Sequence, residues 1–342
     1  MTTLRTTPGA APIGRPAGRP VNPLRRMPAE PRDHLAGTWR QARPARIRKA
    51  FEVAQGRDPG GWHVVGSSAD LGLTRSVTRI VMGREVVLWR GENGVLQAGP
   101  GACPHLGALL EDCEVMHGQV YCRWHGLALS EGVRRDWLTF PAHDDGVLLW
   151  VRLPTEGESL GDLPVITARP PMHQSFATVI TLRGRCEPQD IIANRLDPWH
   201  GTWYHPYAFS DLTVDDSASS DEVLTVDVAF RVSKRWGVPV RAEFTCPDAR
   251  TIVMTILDGE GAGSVVETHA TALGPDDQGK PVTVMTEATI AHSPRKGFQV
   301  ARAVAGLIRP AVAATQKQLW VDDMAYAERR WLLRDRGEVY GA

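Results

Sequence analysis

Two short loops of the sequence each carry one cysteine followed closely by one histidine. The first loop reads Cys-Pro-His, and the second, after a gap of sixteen residues, reads Cys-Arg-Trp-His. The four side chains are Cys103, His105, Cys122 and His125. In each loop a glycine, Gly107 or Gly126, comes just after the histidine. Thiolate sulfur and imidazole nitrogen are ligands of transition metals, so this pattern predicts a metal site shared by the two loops.

The order of the ligands separates two kinds of metal site. In zinc fingers of the Cys₂His₂ type, the two cysteines lie together in sequence and so do the two histidines. Here each loop supplies one of each, which is typical of a Rieske [2Fe–2S] centre, where two cysteines hold one iron and two histidines hold the other. Neutral histidine ligands raise the potential of such a cluster to roughly −150 to +300 mV, so it can pass electrons onward. We predict this cluster, with zinc as the alternative.

A second candidate metal site lies in residues 194–205, which read Asn-Arg-Leu-Asp-Pro-Trp-His-Gly-Thr-Trp-Tyr-His. His200 and His205 together with a carboxylate would form the 2-His-1-carboxylate site of non-haem Fe(II) oxygenases. On an ideal helix these histidines diverge by about 140°, so the helix must be distorted, and Pro198 and Gly201 lie where a kink would achieve this. The alternative is a pair of ordinary histidines in an aromatic-rich helix. The cluster motif in the same chain favours iron, because one site would deliver electrons that the other uses.

The third ligand of the second site should come from a distant helix. On a helical wheel that starts at Trp320, Met324, Ala327 and Trp331 lie within about 40° of one line. Asp323 lies on the shoulder of this apolar stripe, whereas Asp322 points largely away from it. A carboxylate on an apolar shoulder needs a partner such as a metal. We therefore predict Asp323 as the ligand, with Asp322 as the reserve and two solvated surface aspartates as the alternative.

The elements that must position these residues form two β-rich regions and a helical tail. Residues 1–55 are rich in Pro, Arg, Gly and Ala and predict a flexible arm. Short strands bounded by glycines predict a small all-β domain over residues 56–155, with both Cys/His loops emerging from hairpins. Over residues 156–342, longer strands precede a helical stretch from about Arg295 to Leu333, which predicts an α+β domain whose curved antiparallel sheet grips a helix. Pro310 should split this helix, because proline cannot continue the backbone hydrogen bonds.

Taken together, these three pieces resemble the catalytic α subunits of Rieske non-haem iron oxygenases over roughly residues 60–331. The pattern Asn-x-x-Asp-Pro-x-His-x₄-His, which starts at Asn194, is most similar to the pheophorbide a oxygenase-type branch. The resemblance implies one [2Fe–2S] Rieske cluster and one mononuclear Fe(II) per chain, and a helix-grip (START-like) fold for the catalytic domain. In the family an acidic residue usually precedes the ligand Asp, which matches Asp322 and Asp323.

The resemblance also assigns a role to Asp197. In the family this aspartate bridges a Rieske histidine of one subunit to an iron-binding histidine of the next within a head-to-tail homotrimer, and by position these are His125 and His200. A carboxylate there would accept imidazole N–H bonds and fix the tautomers. From the residues alone, Asp197 is equally an N-cap before Pro198, a common place for aspartate. The two roles are compatible.

Composition limits the partners and the compartment. Lys plus Arg and Asp plus Glu both number 39, so bulk charge does not indicate binding to nucleic acid or to an anionic membrane. No run of apolar residues is long enough for a transmembrane anchor. Of the five cysteines, two belong to the Cys/His loops, and the remaining three do not suggest a disulfide framework. We expect a cytoplasmic protein.

The resemblance implies O₂ and a hydrophobic small-molecule substrate, with a ferredoxin or a flavin reductase as electron donor. Hydroxylation, demethylation or desaturation of an isoprenoid such as a carotenoid, of a steroid or of a tetrapyrrole would fit. The alternative is a Rieske electron-transfer protein without an oxygenase site. The long region after the cluster argues against a ferredoxin. Respiratory Rieske proteins carry two further cysteines where this chain has Ala108 and Trp124.

Overall fold

The computed structural model describes residues 24–27, 37–132, 136–338 and 340. It contains a small all-β domain, then a domain built on one large antiparallel sheet, and a long C-terminal helix. This α+β architecture confirms the predicted fold class. Within the described residues, no helix is long and apolar enough to span a membrane.

The first domain consists of three small antiparallel sheets, β2-β10-β9, β3-β4-β5 and β6-β7-β8. Its strands are β2 (Trp62–Ser67), β3 (Val77–Val81), β4 (Arg84–Arg90), β5 (Leu96–Pro100), β6 (Glu114–Met116), β7 (Gln119–Tyr121), β8 (Ala128–Leu129), β9 (Ala142–Asp144) and β10 (Leu148–Arg152). Alternating residues of β4 point to two different cores: Val87 and Trp89 pack beside the Cys/His loops, and Val86 and Leu88 pack towards β10. This strand therefore connects the loops to the body of the domain.

The second domain is organised by a sheet in the order β11-β17-β16-β15-β14-β13-β12, with the short β1 paired to β14. The strands are β1 (Arg25–Arg26), β11 (Ser175–Gly184), β12 (Phe209–Val214), β13 (Val223–Ser233), β14 (Trp236–Asp248), β15 (Thr251–Gly259), β16 (Val265–Pro275) and β17 (Pro281–His292). Strands β12 to β17 follow one another as a meander, whereas β11 lies at the opposite edge beside β17. The chain must therefore cross the sheet between β11 and β12, and the crossing segment contains α2 (Pro188–Arg195) and α3 (His200–Tyr204).

The helix α5 (Ala305–Asp335) covers the same region of the sheet. Trp320, Met324, Ala327 and Trp331 are buried in a cluster with Met285 of β17, as the helical wheel predicted. A Cβ atom at Gly184, where β11 ends, would overlap the sulfur of Met324, so only glycine permits this close approach.

The predicted break at Pro310 is wrong. The helical tail divides at Val304, between α4 (Lys296–Ala303) and α5, and α5 continues through Pro310. Pro310 is the sixth residue of α5, so its missing N–H removes one hydrogen bond near the start of the helix rather than from its middle.

The N-terminal arm differs from its prediction as well. Residues 1–23 and 28–36 of the predicted arm lie outside the described residues, but α1 (Pro44–Gln55) is a helix on the second domain. Its apolar face contains Ala50 and Ala54, which are buried, and Ile47 and Phe51, which pack against the same core. This spacing of i, i+3, i+4 and i+7 is that of an amphipathic helix, and the high content of Pro and Arg before it concealed the pattern.

Candidate metal centres

The two Cys/His loops have the same backbone geometry. In the first, Cys103 N donates to Ala108 O at 2.8 Å and Gly107 N donates to Cys103 O at 2.8 Å. In the second, Cys122 N donates to Leu127 O at 2.9 Å and Gly126 N donates to Cys122 O at 2.8 Å. The two glycines have φ angles of +76° and +69°, a region that side chains other than glycine rarely adopt. Each loop is thus a tight turn that presents its Cys and His from a fixed frame.

The cysteines and the histidines of these loops differ in burial. Cys103 and Cys122 are each 2% exposed, whereas His105 and His125 are exposed at the tip of the domain. The two imidazole rings lie edge to face with their centroids 4.8 Å apart. Burial raises the pKa of the Cys103 thiol, and a hydrogen bond with the Cys122 thiol raises it further. A pair of inner thiols and a pair of outer imidazoles match the ligands of a [2Fe–2S] centre whose histidine-bound iron faces outward.

The second constellation is formed by His200, His205 and Asp323. One ligand atom of each lies within 4.8 Å of the others. Both imidazoles point their Nε2 atoms at Oδ1 of Asp323, at 3.1 Å from His200 and 2.8 Å from His205. The crossing segment and α5 meet on the same face of the sheet, and this brings together residues more than 100 positions apart.

Because α3 ends before His205, the two histidines do not diverge as they would on a continuous helix. His200 is the first residue of α3, which ends at Tyr204, and His205 already has the non-helical angles φ −118° and ψ 55°. Both histidines therefore reach one point because the helix stops between them and not because it bends. The Gly201 carbonyl accepts the N–H of His205, which holds this last turn closed.

The electrostatics of this site favour an ionised carboxylate between two imidazoles. Burial opposes the charge on Asp323, but hydrogen bonds from His200 and His205 outweigh it and hold the pKa of the carboxyl well below its usual range. Burial also lowers the pKa of His200, but its hydrogen bond to Asp323 prevails, so the pKa of His200 lies above its ordinary value. A buried carboxylate with two nitrogen donors aimed at one oxygen is a donor set that suits a non-haem Fe(II).

Asp322 has different surroundings from Asp323. Its Oδ2 accepts a hydrogen bond of 2.6 Å from the Tyr207 hydroxyl and lies 3.6 Å from Nδ1 of His205. It thus stands on the side of the His205 ring opposite to Asp323. A carboxylate at the outer nitrogen of a metal-bound histidine orients the ring and sets its tautomer, a role that the helical wheel did not reveal.

Asn194 is a further member of the site that the sequence indicated only as part of a motif. It is fully buried on α2, and its Nδ2 donates to Asp323 Oδ1 at 3.2 Å, while its Oδ1 has no hydrogen-bond partner among the described residues. The amide therefore contributes a second restraint on the carboxylate.

Asp197 lies at the outer edge of the same site. Its backbone carbonyl accepts a short hydrogen bond from Nδ1 of His200, its Oδ2 lies 3.4 Å from the Tyr326 hydroxyl, and its buried Oδ1 has no partner in the described part of the chain. Burial raises the pKa of Asp197, although His200 and nearby backbone N–H groups favour the charged form. Trp199 occupies the N-cap position of α3.

Comparison with protein families divides the chain in the same way as the geometry. The family described as "Domain of unknown function (DUF5914)" matches residues 155–338. The chain belongs to this family. The "Rieske [2Fe-2S] domain" matches residues 61–147, so the first domain is a Rieske domain. The DUF5914 region contains both histidines and the aspartate of the second constellation. No curated protein matches the chain in sequence.

Solved structures share the fold at low sequence identity. Dicamba monooxygenase bound to dicamba is 15% identical, with a TM-score of 0.56 over 81% of this chain and 89% of that one. The terminal oxygenase of carbazole 1,9a-dioxygenase from Novosphingobium sp. KA1 is 13% identical, with a TM-score of 0.51 over 87% and 90%. An oxygenase and ferredoxin complex of carbazole 1,9a-dioxygenase is 12% identical, with a TM-score of 0.51 over 85% and 86%. The DUF5914 chain therefore has the two-domain fold of Rieske oxygenases.

Proposed function

We propose that this chain is the catalytic α subunit of a Rieske non-haem iron oxygenase, in which Cys103, His105, Cys122 and His125 hold the cluster and His200, His205 and Asp323 hold a mononuclear Fe(II). The convergence of this triad behind a Rieske domain is the single observation that carries the proposal. When bound, the cluster supplies single electrons and the Fe(II) supplies activation of O₂. The chain itself holds both imidazoles and the carboxylate at one buried point, and Asn194 and Asp322 keep them oriented.

Two exposed groups of apolar side chains support the head-to-tail homotrimer. At the tip of the Rieske domain, Leu106 and Trp124 are 64% and 59% exposed, and beside the iron triad Tyr204 and Tyr207 are 39% and 45% exposed. A contact between the tip of one subunit and the triad of the next would cover both groups. It would also bring the exposed His125 to the carboxylate of Asp197, whose side chain is 12% exposed and which would then serve as the bridge between the two metal sites.

We propose a hydrophobic substrate, such as an isoprenoid or carotenoid, a steroid or a tetrapyrrole, as in a pheophorbide a oxygenase-like branch. Phe209 lies beside His205 with the ring centroids 6.3 Å apart, and Phe230 contacts Phe209 in a tilted arrangement with centroids 5.6 Å apart. Both phenylalanines adjoin the apolar core of the second domain. Apolar walls around one polar reaction point are typical of sites for lipophilic ligands. A ferredoxin or a flavin reductase would supply the electrons.

The iron content of the purified chain tests the proposal. An oxygenase should bind about three iron atoms per chain, whereas a Rieske electron carrier should bind about two. His200→Ala should reduce the count from about three to about two, keep the Rieske absorption spectrum, and abolish substrate-dependent O₂ uptake with a surrogate reductase. A count of about two in the unaltered chain would reject the oxygenase in favour of the carrier.

A further inference from the structure

The start of the C-terminal helical region exposes a row of apolar side chains to solvent. Val300 lies in α4, Val304 joins α4 to α5, and Leu307 lies in the first turn of α5. Their exposed fractions are 67%, 44% and 83%. Val304 N donates to Val300 O at 3.2 Å and Leu307 N donates to Val304 O at 2.9 Å, so the three residues follow one another on successive turns across the junction of the two helices. We call these three residues the apolar stripe.

The charged residues that flank the apolar stripe along the sequence are all basic. Residues 288–321 contain five basic residues and no acidic one, although the whole chain has no net charge. Two of the five are held by the protein, because Arg295 pairs with Glu260 and Arg302 donates to the carbonyl of His173. The other three are exposed and form no ion pair with a described residue: Lys296, Arg309 and Lys317.

We propose that the apolar stripe, flanked by Lys296 and Lys317, binds the surface of an anionic lipid bilayer. Arg309 lies about 160° around α5 from Leu307 and therefore points away from this surface. A helical segment with bulky apolar side chains on one side and Lys or Arg around them lies in the plane of the headgroups, with its apolar side in the acyl boundary. The cations match the negative potential of acidic lipids. A second copy of the same surface is disfavoured as the occupant, because it would bring like charges together.

The position of this surface links it to the metal site without depending on it. Leu307 and Asp323 lie on the same helix, sixteen residues or about 24 Å apart. Membrane contact would thus place the DUF5914 domain next to the acyl region, where lipophilic molecules dissolve. The membrane binding itself does not rest on the proposed oxygenase function, so the two can fail separately.

Co-sedimentation of the full iron-loaded chain with lipid vesicles tests the proposal. Phosphatidylcholine vesicles with about 30% phosphatidylglycerol should bind the chain at low salt, whereas pure phosphatidylcholine or about 0.5 M NaCl should release it. Each cation strengthens such binding by about fivefold, so K296Q combined with K317Q should weaken it by about 25-fold. Val300→Glu combined with Leu307→Glu should reduce binding to background. Leu73→Glu, which changes a leucine of the Rieske domain that is about as exposed as Val300, should have no effect.

Three outcomes would overturn the proposal: an unaltered chain that stays in the supernatant, equal binding by the stripe variants, or equal binding to neutral and anionic vesicles. If the stripe variants instead reduce the mass in solution and no chain binds vesicles, the stripe is a contact between subunits and the proposal is rejected. The Rieske absorption spectrum reports whether each variant has folded. V300Q with L307Q, which adds no charge, replaces the glutamate variant if that one fails to fold.

Discussion

Asp322 and Asp323 are neighbours in sequence but face different atoms of the same histidine. Asp323 is 3% exposed and lies at Nε2 of His205, whereas Asp322 is partly exposed and lies near Nδ1, where Tyr207 also binds it. One carboxylate is therefore suited to hold a metal, and the other to orient the ring that holds it.

Paired substitutions separate these roles. Asp323→Asn should lower the iron content from about three to about two atoms per chain, because a neutral amide is a poor ligand for the metal. Asp322→Asn should keep the third iron but weaken its binding by about 10–100-fold. Iron titration with a chelator measures both variants. Loss of iron in Asp322→Asn alone would reverse the assignment.

Asp197 has a buried oxygen that nothing in the described chain satisfies. If the carboxylate of Asp197, whose side chain is 12% exposed, accepts an N–H from the partner subunit's His125, Asp197→Asn should leave both metal sites loaded but slow turnover by about 100-fold. The measurement is the rate at which the reduced Rieske cluster regains its oxidised absorption spectrum when O₂ and substrate are present. Asp211→Asn, a change at an exposed position on β12, is the matched control. Normal turnover in Asp197→Asn would show that Asp197 does not connect the two metal sites.

A buried carboxylate of the sheet binds two side chains of α5. Glu287 of β17 accepts hydrogen bonds from Trp320 Nε1 at 2.8 Å and from Gln316 Nε2 at 3.2 Å. Burial raises the pKa of Glu287, so the contact depends on these donors. Trp320 lies one turn before Asp323, and the same contact therefore sets how deeply the Asp323 carboxylate is buried.

Removing one donor tests this attachment. Trp320→Phe leaves Oε2 of the buried Glu287 with only the longer hydrogen bond of 3.4 Å from Thr268, and it should reduce the free energy of unfolding by about 1–3 kcal/mol. It should also weaken the binding of the third iron. Trp331→Phe, a change at a buried tryptophan on the same helix, should affect stability less and leave the iron content unchanged. Urea unfolding and iron analysis measure both, and equal effects would show that packing alone holds α5.

One arginine forms ion pairs with both domains. Arg169, in the segment between the domains, binds Asp145 beside β9 and Glu267 of β16, with four nitrogen–oxygen distances between 2.6 and 3.0 Å. Burial opposes both charges, but the guanidinium outweighs it and holds the pKa of both carboxyls below the usual range. Such a pair contributes stability above the unfolded pKa values of 3.8 and 4.5 and loses it as the pH falls below them.

Arg169→Met should therefore destabilise the chain by about 3–5 kcal/mol at pH 7, because two buried carboxylates lose their partner. The difference from the unaltered chain should shrink towards pH 4, where the unpaired carboxylates of the variant take up protons. Arg241→Met is the matched control, since Arg241 also binds two carboxylates, Asp215 and Asp227, but is one third exposed. Arg241→Met should reduce the free energy of unfolding far less than Arg169→Met, because water screens an exposed ion pair. Urea midpoints at both pH values provide the measurement, and a loss that is independent of pH would contradict the prediction.

Local patterns in the sequence were sufficient for much of this architecture. Ligand order and the glycines of the two loops depend on neighbouring residues only, so the Rieske domain was predictable. The period of α5 separated Asp323 from Asp322 because each residue turns the helix by 100°. The apolar face of α1 was also present in the sequence, at residues 47, 50, 51 and 54, but the Pro/Arg-rich composition around it concealed the pattern.

Contacts between distant residues decided the rest. That α3 ends before His205, that Tyr207 binds Asp322 and that Arg169 pairs with both domains depend on which elements meet across the sheet, and no local period encodes this. The same holds for the apolar stripe, because its residues look like core positions until the packing of α5 leaves them outside. The sequence by itself determined the chemistry of the ligands and the elements that carry them, since both follow from residue type and spacing. The tertiary structure decided which side chains share a point in space, since that depends on how the chain crosses the sheet.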